Sequence, residues 1–189
     1  MIIEISGLQC AGKSTLIGGL TGIDYKLYKF PMGGVCKQLK IHPTWEMQIA
    51  KDISTLELCT QLCKDDIIIS DRGPLSTLYY SLLFKRATDE EVWKFIQHLS
   101  QYKDRWFPVW LEGVNNEEAI AARSKNDGFD NMMANTDPTL ANIYKAALFY
   151  MLREAGIKYT IVKNNFENSV EDNIKSFNSA INKIIEVSK

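Results

Sequence analysis

Long apolar runs are missing from this 189-residue sequence: its longest stretch without a charged residue, Gly73 to Phe84, falls well short of the ~20 residues needed to cross a bilayer. No membrane partner is expected. An excess of charge is missing too. Lys plus Arg number 22 against 23 Asp plus Glu, a formal charge of −1, so no field of the whole molecule draws it onto nucleic acid or anionic lipid, and only a local basic site remains. Histidine is scarce: His42 and His98 stand alone, neither beside a nucleophile or a ligand set, and read as surface or core fillers. The four cysteines (Cys10, Cys36, Cys59 and Cys63) form no CxxC pair and are expected as thiols in a reducing compartment, with Cys59 and Cys63 packing on one helix face. The opening residues MIIEIS lack the basic start and long apolar run of a secretion signal, so the expected location is cytoplasmic. An Asn-Lys-x-Asp guanine motif is absent as well, which counts against a GTP-driven switch.

What is present is a 46% hydrophobic chain in which short β-rich runs alternate with helical patterns, without repeats or low-complexity linkers. That alternation predicts an α/β fold, one domain over residues 1–189 with a five-stranded parallel sheet and helices on both faces. Strands are expected at Met1 to Ser6, Lys26 to Phe30, Ile67 to Ser70, Val109 to Glu112 and Tyr159 to Val162. Helices are expected at Lys13 to Leu20, Trp45 to Leu62, Pro74 to Phe84, Glu90 to Ser100, Pro138 to Ala155 and Val170 to Val187. In the last of these, Ile174, Phe177, Ile181, Ile184 and Ile185 recur at helical spacing, which marks a face that covers the sheet. The polar segment Ser124 to Thr136, with Gly128 and several Asn, reads as a mobile loop and a candidate lid.

The sharpest feature is Gly7-Leu8-Gln9-Cys10-Ala11-Gly12-Lys13-Ser14, a complete GxxxxGK[ST] after a predicted strand and before a predicted helix. Glycines let such a loop curl so that successive N–H groups point at phosphate oxygens, and the following helix adds the positive end of its dipole. Lys13 would neutralise the β- and γ-phosphates, the Ser14 hydroxyl would bind Mg²⁺, and Thr15 would cap the helix or touch the α-phosphate. The expected cofactors are ATP and Mg²⁺.

The third strand leads into Asp71-Arg72-Gly73-Pro74. In open α/β sheets the carboxyl ends of the strands form the ligand crevice, so Asp71 and Arg72 are expected to face the phosphates. A carboxylate there holds Mg²⁺ through water or accepts the acceptor's proton, and an arginine grips a second phosphate bidentately. The plainer alternative is a helix cap and a salt bridge.

Several blocks, in order, resemble the thymidylate kinase-like branch of the nucleoside monophosphate kinases. The family's E-G-x-D-G-x-G-K-S-T loop is matched by Ser6 to Thr15, with Gln9 where the family has its acid. Its Phe-Pro is matched by Phe30-Pro31, and its D-R-Y-x-x-S-x-x-A-Y block by Asp71, Arg72, Ser76 and Tyr80. The family's next strand and lid are similar to Val109 to Arg123 followed by Asp127-Gly128-Phe129-Asp130. The resemblance implies that the loop and Arg123 hold ATP, that Arg72 holds a monophosphate, and that Phe30, Ser76, Thr77 and Tyr80 line the acceptor's cleft. It implies transfer of the ATP γ-phosphoryl group to a deoxynucleoside monophosphate, thymidylate-like in preference, with a small nucleotide as partner and a homodimer compatible with the family. Two alternatives stand beside it: a kinase acting on a deoxynucleoside or on a modified pyrimidine such as 5-hydroxymethyluracil in DNA, and a non-catalytic nucleotide-dependent switch.

Overall fold

A computed structural model describes residues 1–8, 10–29, 44–63, 65–115, 117–118, 120–121 and 137–188. Its strands are β1 (Ile2–Gly7), β2 (Lys26–Lys29), β3 (Ile68–Asp71), β4 (Trp106–Val114) and β5 (Thr160–Asn165). They form one parallel sheet in the order β2-β3-β1-β4-β5. The helices are α1 (Lys13–Gly18), α2 (Trp45–Leu62), α3 (Pro74–Leu83), α4 (Asp89–Leu99), α5 (Pro138–Glu154) and α6 (Val170–Val187). The chain therefore has the expected sheet, with helices on both faces. No described helix is long and apolar enough to cross a membrane.

Local chemistry accounts for the helix ends. Thr44, Asp137 and Ser169 each accept a backbone N–H from the first turn of α2, α5 and α6, and Thr88 with Glu91 closes a capping box on α4. Two strands outrun their sequence signal. Strand β4 begins at Trp106 rather than Val109, with Pro108 inside it. Ile2 donates to Arg105 O, which turns Phe107 toward β1 and Pro108 toward the other side. There β5 does not begin to pair until Thr160 meets Val109, so the missing N–H leaves no rung unmade. Strand β5 continues past Val162 through the polar Lys163, Asn164 and Asn165, which pair with Glu112 to Val114. The expected end of the second strand at Phe30 lies outside the described residues.

The sheet divides the core in two. On the α1 and α6 face, Ile3, Ile5, Ile69, Val109, Leu111 and Val162 pack against Leu16, Ile17, Phe177 and Ile181. On the other face, Ile2, Ile68, Trp106 and Trp110 pack beneath α2, α3, α4 and α5. Burying each such side chain contributes roughly 1.5–3 kcal/mol. Cys59 and Cys63 pack half-buried against this second cluster, as their spacing suggested.

Candidate active site

The two chain reversals at the carboxyl ends of β1 and β3 lie side by side, because Ile5 and Asp71 are register partners and the Arg72 N–H donates to Ile5 O at 3.0 Å. After β1 the loop turns through Cys10 at φ 58° and Gly12 at φ 81° before α1 begins at Lys13. Gly12 is needed twice over. Its left-handed φ disfavours any side chain, and a Cβ there would sit 2.3 Å from Asn164 Nδ2. Asn164, buried at the end of β5, donates to Ala11 O at 3.0 Å and so ties the loop to the far strand. The Phe166 ring, 39% exposed, borders the same glycine.

Lys13 is buried, and its ammonium donates to Gly7 O at 3.0 Å and Leu8 O at 2.7 Å, which holds it within the loop that precedes it. Ser14 and Thr15 are exposed on the first turn of α1. Across from them, the half-buried Asp71 carboxylate makes no hydrogen bond or ion pair to a described residue. The donor set suits Mg²⁺, which keeps several waters and takes one or two protein oxygens beside substrate phosphates. Ser14 and Asp71 offer those oxygens, and among the described residues there is no denser cluster of acidic, His or Cys ligands.

Arg72 stands at φ 75°, strained for a residue with a side chain. The Tyr80 hydroxyl, buried on α3, lies beside its guanidinium, yet no hydrogen bond of good geometry closes between them. Burial pushes the Tyr80 phenol up, and the Arg72 charge opposes that rise. One turn earlier, Thr77 Oγ1 donates to Asp52 Oδ2 of α2 at 2.5 Å. Asp52 is 1% exposed and also pairs with Lys51 at 2.9 Å; burial raises its pKa more than Lys51 and Thr77 lower it. Ser76 does not open into the cleft. It is buried, with its hydroxyl 2.7 Å from Ser6 Oγ.

Of the residues singled out in the sequence, the structure brings together Gly7, Cys10, Ala11, Gly12, Lys13, Ser14, Thr15, Asp71, Arg72, Thr77 and Tyr80. Gln9, Phe30, Arg123 and the segment 124–136 lie outside the described residues. Sequence reasoning missed Asn164, Phe166, Asp52, Glu4 and the part-buried pair of Lys145 on α5 with Glu112 on β4, 2.5 Å apart. Glu4 and Glu112 left a signal, each as the single charge inside its strand.

No protein-family profile matches the sequence, and no curated protein matches it. Solved structures do share its fold. Deoxyadenosine kinase from M. mycoides with bound dATP matches with a TM-score of 0.56 and 18% identity over 96% of this chain and 100% of that one. The same enzyme with products dCMP and a flexible dCDP bound matches with a TM-score of 0.54 and 18% identity, covering 97% and 100%. With bound dCTP the TM-score is 0.53, at 16% identity and the same coverage. The likeness is one of fold: a five-stranded parallel sheet with helices on both faces, shared with these kinases.

Proposed function

We propose that the chain is an ATP- and Mg²⁺-dependent kinase that transfers the γ-phosphoryl group to a hydroxyl of a deoxynucleoside. The observation that carries this reading is the pairing of the Lys13 loop at the end of β1 with Asp71 and Arg72 at the end of the neighbouring strand. The acceptor oxygen attacks the γ-phosphorus and forms the new P–O bond as the bond to the β,γ-bridging oxygen breaks, so that ADP leaves. Lys13 and the loop amides take up charge on the β- and γ-phosphates, and Arg72 takes it up from the acceptor side. Ser14 and Asp71 would hold Mg²⁺, which neutralises the phosphate oxygens when bound. Asp71 is the carboxylate that either shares in that role through water or accepts the acceptor's proton. Phe166 offers a ring for the ATP base beside Gly12. Arg123 and the segment 124–136 would close over the phosphates, in keeping with their sequence. The Cys59 and Cys63 thiols, which form no disulfide, suit a cytoplasmic setting.

A neutral acceptor is favoured by the hydroxyls on its side of the cleft. Asp52 is buried behind Thr77 and paired with Lys51, so this side offers the Thr77 and Tyr80 hydroxyls, which suit the hydrogen-bonding groups of a sugar or base. The structural neighbours, deoxyadenosine kinases, support the same acceptor class. The second reading, a thymidylate-like monophosphate, is favoured by Arg72, whose guanidinium has no ion pair to a described carboxylate and matches the family's phosphate-gripping arginine. Labelled ATP offered with deoxynucleosides, deoxynucleoside monophosphates and duplex DNA carrying 5-hydroxymethyluracil separates the readings. Transfer to deoxynucleosides is expected. Exclusive transfer to monophosphates, with an acceptor KM that rises in Arg72→Lys because the planar fork is lost, establishes the second reading. Transfer to DNA alone assigns the modified-base reaction, and transfer to none leaves a nucleotide-dependent switch.

A further inference from the structure

Glu4 is 1% exposed in the central strand of the sheet and has no cationic partner among the described residues. Four donors from three elements converge on it instead. Ser6 Oγ of β1 lies 2.6 Å from Oε1, Trp106 Nε1 of β4 lies 2.9 Å from Oε2, and the Leu75 and Ser76 amides of α3 lie 3.3 Å from the two oxygens. The amides explain why it is there. The first N–H groups of a helix have no partner within the helix, and the N-cap residue of α3 is Gly73, which has no side chain to offer them. A Cβ at Gly73 would sit 2.8 Å from the Glu4 carboxyl carbon, so the missing cap makes room for a cap supplied by another strand.

The two halves of the candidate site meet at this carboxyl. Strand β1 runs directly into the phosphate loop, and α3 follows Arg72 and carries Thr77 and Tyr80. We propose that Glu4 is a positioning residue for phosphoryl transfer, the remote cap of α3 that keeps Arg72, Thr77 and Tyr80 in register with the phosphate loop. This rests on the kinase reading above.

The ionised form fits the site best, because a carboxylate only accepts and all four neighbours donate. Burial opposes that form and pushes the Glu4 pKa up to about 7, with the nearby Asp52 charge adding to the rise. A protonated Glu4 must donate, and among its four partners only Ser6 Oγ can accept. The Ser6 proton then turns toward Ser76 Oγ, 2.7 Å away, and the amides of α3 lose part of their acceptor. The groups that face Glu4 are Asp52 on α2, Trp106 on β4 and the α3 amides, while Cys59 of α2 and Tyr28 of β2 line a small void beside it.

The test is steady-state transfer from pH 5.5 to 9 by the full chain and its Glu4→Gln, Ser6→Ala and Asp52→Asn variants, with binding of a fluorescent ATP analogue measured separately. Wild type is expected to lose acceptor kcat/KM below about pH 7. Glu4→Gln is expected to raise the acceptor KM about tenfold at pH 8, the scale of one charged hydrogen bond, to lose the acid limb, and to leave ATP affinity within about twofold. Ser6→Ala, which removes one donor from the carboxylate, is expected to move the limb to higher pH. It carries the test alone if Glu4→Gln does not fold. A limb and KM unchanged in these variants, or a limb abolished by Asp52→Asn instead, overturns the proposal. If wild type transfers to no acceptor, the kinase reading fails, while exchange of the Leu75 and Ser76 amides still decides the cap: faster exchange in Ser6→Ala at pH 8 supports it and equal exchange overturns it.

Discussion

Alternate residues of one strand, β1, serve opposite purposes on the two faces of the sheet. Ile3 and Ile5 enter a cluster against α1 and α6 that is apolar throughout. Glu4 and Ser6 point the other way and join a buried polar chain that reaches Ser76, with Asp52 and Thr77 close by. The period of two in a strand makes this division possible within six residues. The dry face holds the sheet, and on the proposed kinase reading the wet face shapes the acceptor side of the cleft, so substitutions on the two faces should separate stability from function. The phosphate loop, at the end of the same strand, belongs to both, since Ala11 packs with the dry cluster while Lys13 reaches the Gly7 and Leu8 carbonyls.

The largest effect is expected at the loop. Lys13→Ala should lower kcat by about 10³-fold or more, because the backbone amides alone cannot offset charge building on the transferring group. Its melting temperature should stay near that of wild type by calorimetry, since the Gly7 and Leu8 carbonyls that Lys13 reaches lie at the loop rather than in the packed core. Next comes the dry face. Phe177→Ala on α6, fully buried, should cost about 3–5 kcal/mol in urea unfolding and leave the KM for ATP and acceptor unchanged in the fraction that stays folded. A matching change in acceptor KM would break the division between the faces.

A smaller effect, with a defined sign, is expected from Glu4. Its folded pKa is raised from 4.5 to about 7, so the native state binds more protons than the unfolded state between those values. The contribution of Glu4 to stability is therefore fullest below about pH 4.5 and falls as pH rises to about 7, by about 3 kcal/mol. Asp52, also raised by burial, adds a fall of the same sign. Glu4→Gln should remove the larger share of this slope in unfolding measured at a series of pH values. The ionised form that best caps α3 is thus the less stable one for the fold, an exchange of stability for an ordered site.

The parallel sheet, the boundaries of α2 and α6 and the turn from β1 into α1 were legible in the sequence because each rests on local signals: apolar runs, helical spacing and the glycines that let that turn curl. The longer ends of β4 and β5 were not. Pro108 reads as a strand breaker until the late start of β5 removes its partner, and Lys163 to Asn165 carry no apolar signal because that end of an edge strand supports the phosphate loop. The position of Asp71 and Arg72 beside the loop after β1 was legible from their place after an apolar strand. Asp52 and Asn164 were hidden for a physical reason: their partners, Thr77 and Ala11, are 25 and 153 residues away, and only folding makes them neighbours. Ser76 illustrates the converse. It matches the family's acceptor block, yet at the first turn of α3 its side chain points at β1.

Amide exchange measured separately with a non-hydrolysable ATP analogue and with a deoxynucleoside tests the division of labour most directly. The account predicts that the ATP analogue protects the loop at 10–15 and the turn after β5, and that the deoxynucleoside protects α2 and the first turns of α3 while leaving α6 unchanged. Acceptor protection confined to α6 and β5, with none on α2 and α3, would contradict it.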